Sequence, residues 1–154
     1  MNSKNKNNSD KNYGDDGNLN LKLVVTLKRC LNSISKNVLP IFQEAGLTES
    51  QFGILEVLYH KGSLPICEII RKTLSSGGNM TVVIDNLEKA QLVERAPDPN
   101  DRRSFIISLS KKGKTLIKKT FPVHVEHLNK MLGILNSEEK YTLIELAKKL
   151  GKSA

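Results

Sequence analysis

The chain has 154 residues, enough for one domain with a sizeable core. Hydrophobic residues make up 38 %, and no apolar run approaches the ~18 residues of a membrane span, which argues against a membrane protein. The formal net charge is +8, and residues 86–119 hold nine Lys/Arg against four Asp/Glu, a local surplus that suggests a polyanionic partner. The N-terminus lacks the apolar core of a secretory signal. Two cysteines without a CxxC or a framework of spaced pairs point to a reducing compartment, so the expected location is the cytoplasm. No nucleophile–base pair, P-loop or Gly-rich phosphate fingerprint occurs, so the expectation is neither an enzyme nor a cofactor protein.

Residues 1–18 are rich in Asn, Lys, Ser, Asp and Gly, with Tyr13 as their one aromatic, and read as a disordered tail. Over residues 19–42, Leu23, Leu27, Leu31, Ile34, Val38 and Phe42 recur every three or four positions, which predicts a long amphipathic helix closed by Pro40 and Gly46. Such a helix needs another surface for its stripe, and a second subunit would supply one. Thr48 and Gln51 form a capping box, with Leu47 and Phe52 as a hydrophobic staple. Phe52, Leu55, Leu58 and Tyr59 give that second helix its buried face, and Gly62 is placed to end it in a left-handed turn.

Ser63 and Pro65 open a short helix whose inward residues are Ile66, Ile69, Ile70 and Leu74. Residues 75–79 break the chain and restart it in a helix with the stripe Met80, Val83, Ile84 and Leu87. Its opposite face presents Asn79, Thr81, Val82, Asp85, Asn86 and Lys89. Two short helices joined by a Gly-containing turn are the helix-turn-helix pattern. Strand-like residues 92–95 and 104–109 then flank a turn-rich segment carrying Arg102 and Arg103. Ser110 caps a helix running to about Leu132, and Ser137 caps the last one, with Leu135 and Tyr141 as its staple. The fold class is therefore mainly α with a small β-hairpin.

A helix enters the major groove when its leading residues are small and polar. Ser75, Ser76, Asn79 and Thr81 satisfy that, and Gly77 with Gly78 lets the backbone come close. Arginines on a hairpin tip can reach an adjacent minor groove, and Lys111, Lys112 and Lys114 would sit near phosphates. Double-stranded DNA is the partner that this order of elements favours. The alternative is a winged-helix module that binds another protein, whose mark would be an exposed Met80 or Val82 on the recognition helix.

The run from Leu87 to Arg95, the segment Asp98-Pro99-Asn100-Asp101-Arg102-Arg103-Ser104, and Leu109 to Lys114 together resemble the MarR (multiple antibiotic resistance regulator) family over about residues 20–150. The resemblance implies a winged helix-turn-helix domain at residues 47–109, with dimerisation helices at residues 19–46 and 110–150. It implies a homodimeric transcription regulator, expected to be a repressor, on a palindromic operator. Arg103 resembles the arginine that enters the minor groove, Asp101 the acid that braces it, and residues 76–81, with Met80 among them, the leading turn of the recognition helix. Where the family commonly has Gly, this chain has Gln91, a residue that costs on the order of 1 kcal/mol if the backbone is left-handed there.

Family resemblance also implies release by a small-molecule effector, often phenolic, by an oxidant acting on a cysteine, or more rarely a response to zinc. Cys30, beside Lys28 and Arg29, is the candidate redox sensor, whereas Cys67 between isoleucines reads as core. His124 and His127, spaced i, i+3, are the weak candidates for a metal, with Cys30 or His60 as conceivable third ligands.

Overall fold

The computed structural model describes residues 12–73, 80–99, 101 and 104–153. Contacts divide the chain after Asn37 into two units. The first unit consists of the leading part of helix α1 (Gly14–Glu44). Helix begins earlier than composition suggests, since residues 14–18 of the expected tail are helical. Asn12 explains why. Its Oδ1 accepts from the Gly14 amide at 3.0 Å and from Asn18 Nδ2 at 2.8 Å, and Asp15 and Asp16 sit at the positive end of the helix dipole. Leu19, Leu21, Leu23, Val24, Val25 and Leu31 are all exposed on this segment.

The second unit starts within α1, which runs on through Pro40 instead of closing there. Proline removes one backbone donor, but Val38 and Phe42 on either side of it are buried and hold the turn in place. The end comes at Glu44, where Gly46 takes φ +70° and the amides of Gly46 and Leu47 bond to the carbonyls of Gln43 and Phe42, a Schellman motif. Helix α2 (Glu49–Lys61) carries the expected capping box, with Gln51 N donating to Thr48 Oγ1 and Thr48 N to Gln51 Oε1. Leu47 and Phe52 are both buried beside it. Gly62 has φ 79° but ψ −159°, so it turns the chain outside the left-handed helical well.

Ser63 and Pro65 do not start a helix. Leu64–Pro65 is a short strand, β1, and helix α3 (Ile66–Thr73) follows it. After α4 (Met80–Lys89) come β2 (Val93–Pro97) and β3 (Phe105–Leu109). The expected hairpin thus becomes a three-stranded antiparallel sheet in the order β1-β3-β2, with Leu64 opposite Ile107 and Arg95 opposite Ile107 from the other side. Helix α5 (Lys111–Leu132) is capped by Ser110, whose Oγ accepts from Gly113 N at 3.0 Å. Helix α6 (Ser137–Ser153) is capped by Asn136 rather than Ser137, because Asn136 and Glu139 exchange side chain-to-amide bonds at 2.8 and 3.0 Å. Tyr141 is therefore no staple; it is 71 % exposed.

The core gathers Ile54, Leu55, Ile69, Met80, Ile84, Leu87, Ile107 and Ile117, all essentially inaccessible. Helices α2 to α5 and the sheet thus share one apolar centre, which fixes α4 and the hairpin on a common base. Among the described residues, no helix is long and apolar enough to cross a membrane.

Candidate nucleic-acid interface

Helix α4 is two-faced. Met80, Ile84 and Leu87 are buried and Val83 packs against them, while Thr81, Val82, Asn86 and Lys89 are exposed on the other side. Met80 lies in the core at 2 % exposure, as its place on the apolar stripe implies, and so leaves the set of candidate DNA contacts to which the family resemblance assigned it. Thr81 stays available. The remaining candidates of the leading turn, Ser75, Ser76, Gly77 and Asn79, lie outside the described residues, as does Leu74 of the α3 stripe.

The end of α4 is tied to the start of α5. Gln91 has φ 60°, the left-handed backbone that its position after the helix foreshadows. Gln91 N bonds to Glu88 O at 2.8 Å and Leu92 N to Leu87 O at 2.9 Å, closing a second Schellman motif. Ser110 Oγ donates to Gln91 O at 2.7 Å, Ser110 N to Leu92 O at 3.1 Å, and Lys112 Nζ to Ala90 O at 2.9 Å. Gly113 is required here, since a Cβ would lie 1.9 Å from the Leu92 carbonyl oxygen. Lys112 therefore gives one of its three donors to the helix end, leaving two, while Lys111 and Lys114 stand exposed on the same first turn.

The hairpin rises from this base. Its tip is pinched by Asp98 N to Ser104 O at 3.1 Å and Ser104 N to Asp101 O at 2.9 Å. Asp101 is exposed; Arg102 and Arg103 lie outside the described residues. Sequence reasoning missed Arg95 on β2. Its guanidinium bonds Asp85 of α4, lies 3.2 Å from Glu88 Oε2, and sits 5.6 Å from the Phe105 ring centroid. Asp85 and Glu88 share a face at i, i+3 spacing, a signal visible in the sequence, but their partner is known only from the pairing of the strands.

The effector candidates resolve differently. Cys30 is exposed on α1. Cys67 is exposed too, against the core assignment, because α3 turns Ile66, Ile69 and Ile70 inward and leaves the position between them outside. His124 packs against Phe42, Phe52 and Phe121 at ring distances of 5.4, 5.0 and 6.5 Å, and its Nδ1 is buried without a hydrogen-bond partner among the described residues. Burial there lowers its pKa, Glu56 pulls it back up, and His127 lowers it further. Among the described residues, no group of three or more His, Cys, Asp or Glu could hold a metal.

A buried apolar helix face, a polar outer face, an adjoining β-hairpin and a lysine-bearing helix start define a winged helix-turn-helix protein. The MarR family model matches residues 47–105. The HTH-type transcriptional regulator MhqR of Bacillus subtilis is 35 % identical over 134 residues, covering 87 % of this chain and 92 % of that protein. The chain belongs to the MarR family of transcriptional regulators. Two solved structures share its fold. A cysteine mutant of E. coli MarR complexed with operator DNA superposes with TM-score 0.79 at 22 % identity, covering 89 % of this chain and 99 % of that one. Bordetella bronchiseptica BpsR, whose DNA binding is regulated by 6-hydroxynicotinic acid, gives TM-score 0.75 at 23 % identity, covering 82 % and 90 %.

Proposed function

We propose that this protein is a homodimeric repressor that binds a palindromic operator and lets go of it when a small effector binds. The observation that carries the reading is the division of α4: three core residues on one side, and Thr81, Val82, Asn86 and Lys89 on the other, beside a hairpin seated on the same core. Thr81 and Asn86 offer hydrogen bonds to base edges, and Val82 offers a methyl surface for thymine. Lys111 and Lys114 supply phosphate contacts at the start of α5. Ser75, Ser76, Gly77 and Asn79 would complete the leading turn, with Asp101 bracing Arg103 in the minor groove and Arg102 beside it.

The protein-binding alternative has one observation in its favour, the 54 % exposure of Val82. With Met80 buried, that apolar patch shrinks to a single side chain between polar neighbours, too little for a protein interface.

Release fits a one-ring compound. Ile41, Ala45, Leu116 and Val123 wall a hollow of about 220 Å³, with Glu44, Lys119 and Thr120 as its polar members. That is below the roughly 300 Å³ of ordinary small-molecule sites, a size that suits a single ring. The exposed thiol of Cys30 makes oxidation the competing signal.

The test starts by selecting bound duplexes from random DNA with the parent protein. Recovery of a palindrome with half-sites about one helical turn apart is expected, with affinity falling steeply as salt rises. Arg103→Ala should weaken binding roughly tenfold or more while the dimer persists. Parent-like binding by that variant at matched salt would sink the wing assignment. Hydroxylated aromatic acids and peroxide are then added separately, and retention of the peroxide response in Cys30→Ser would remove Cys30 as the sensor.

A further inference from the structure

We infer that Arg95 is a positioning residue, a clamp that sets the angle between the recognition helix and the wing; the inference rests on the wing reading of DNA proposed above. Three elements converge on its guanidinium. Asp85 and Glu88 reach it from α4, β2 carries it, and its central carbon stands over the ring of Phe105 on β3, 5.6 Å from the centroid. The Arg95 side chain is only 19 % exposed, so water screens the group weakly, whereas both carboxylates remain 43 % exposed. Guanidinium suits this role because its planar fork can meet two carboxylates while its face lies against an aromatic ring.

The cluster also answers an electrostatic problem. Two carboxylates on a helix that approaches DNA repel phosphates. Nothing in the core requires them there: Met80, Ile84 and Leu87 do the packing, while Asp85 and Glu88 lie on the flank of α4 that meets β2. Their placement makes sense as anchors for Arg95, whose charge offsets part of theirs. Since β2 and β3 are paired from Val93–Leu109 to Pro97–Phe105, holding Arg95 and Phe105 holds the last pair before the tip.

The sign of one double substitution separates the clamp from plain electrostatics. Asp85→Asn with Glu88→Gln removes two negative charges from the helix proposed to approach DNA, which by charge alone tightens binding. The clamp predicts the reverse, a loss of roughly threefold to tenfold on the selected duplex. Arg95→Lys keeps the charge but not the fork and should lose a similar factor. Sedimentation and circular dichroism on each variant establish that the fold is retained, and the Asn/Gln pair, being at half-exposed positions, serves if Arg95→Lys does not fold. In an Arg103→Ala background the Asn/Gln pair should no longer weaken binding, because the tip it positions is already disarmed. Parent-like or tighter binding by the Asn/Gln pair overturns the clamp, as do losses that add in full to that of Arg103→Ala. If Arg103→Ala itself leaves affinity unchanged, the wing reading falls, and the clamp with it, for a different reason.

Discussion

Gln91 sits at φ 60° in the turn after α4, held there by the amides of Gln91 and Leu92 and by Ser110 Oγ on its carbonyl. A Cβ in that region is strained, whereas Gly is not, so Gln91→Gly should stabilise the protein by up to about 1 kcal/mol, less what the freer unfolded chain gives back. Chemical denaturation of the two proteins decides it, and a destabilised glycine variant would show that the Gln91 side chain holds the turn. His124 is the second residue with a stability consequence. Burial among Phe42, Phe52 and Phe121 disfavours its imidazolium, Glu56 opposes that, and His127 adds to it, for a net lowering. A depressed folded pKa means that the unfolded chain takes up the proton first. Its stabilising share is therefore intact above the ordinary histidine value of about 6.5 and is lost as pH falls below it. His124→Phe, which keeps a ring in the cluster, should flatten the fall in melting temperature between about pH 7.5 and pH 5.5. An unchanged slope would assign the acid sensitivity to other groups.

At the scale of elements, what was legible in the sequence is what local chemistry determines. The capping box of Thr48 and Gln51, the stripe of α4 and the cap at Ser110 each depend on residues within a few positions of one another. Elements set by distant partners were illegible. Strand β1 is two residues long, too short for an alternating pattern, and exists because Leu64 and Pro65 meet Ile107 and Ile106 more than forty positions away. Pro40 looks like a helix end until the burial of Val38 and Phe42 is known. Of the candidate site, the polar face of α4 and the lysines of α5 could be read from periodicity. The Arg95 cluster could not, because it joins a helix to a strand through tertiary packing. Met80 shows that the apolar stripe outweighs position in the leading turn, since the stripe placed it in the core where it lies.

For the whole molecule, the unsolved problem is apolar surface. Helix α6 leaves Tyr141, Leu143, Ile144, Leu146 and Leu150 between 47 % and 71 % exposed, and α1 leaves six more apolar side chains exposed before Cys30 and just after it. Scattered exposed leucines are ordinary, but rows of them along helices mark an interface. A charge of +8 is no substitute for a covering partner, because it keeps molecules apart only until a matched apolar face offers more than the repulsion costs. A dimer as proposed would cover these rows, and on a palindrome it would tether two winged domains, so that binding of one raises the effective concentration of the other. Leu143→Glu with Leu146→Glu places two charges in the α6 row without touching the shared core, since neither residue is buried. Sedimentation velocity should then find monomer where the parent sediments as a dimer. Affinity for the full palindrome should fall by roughly a hundredfold, while affinity for an isolated half-site stays the same. A variant that remains dimeric would move the interface off α6, and one that turns monomeric yet keeps full palindrome affinity would break the link between two subunits and two half-sites.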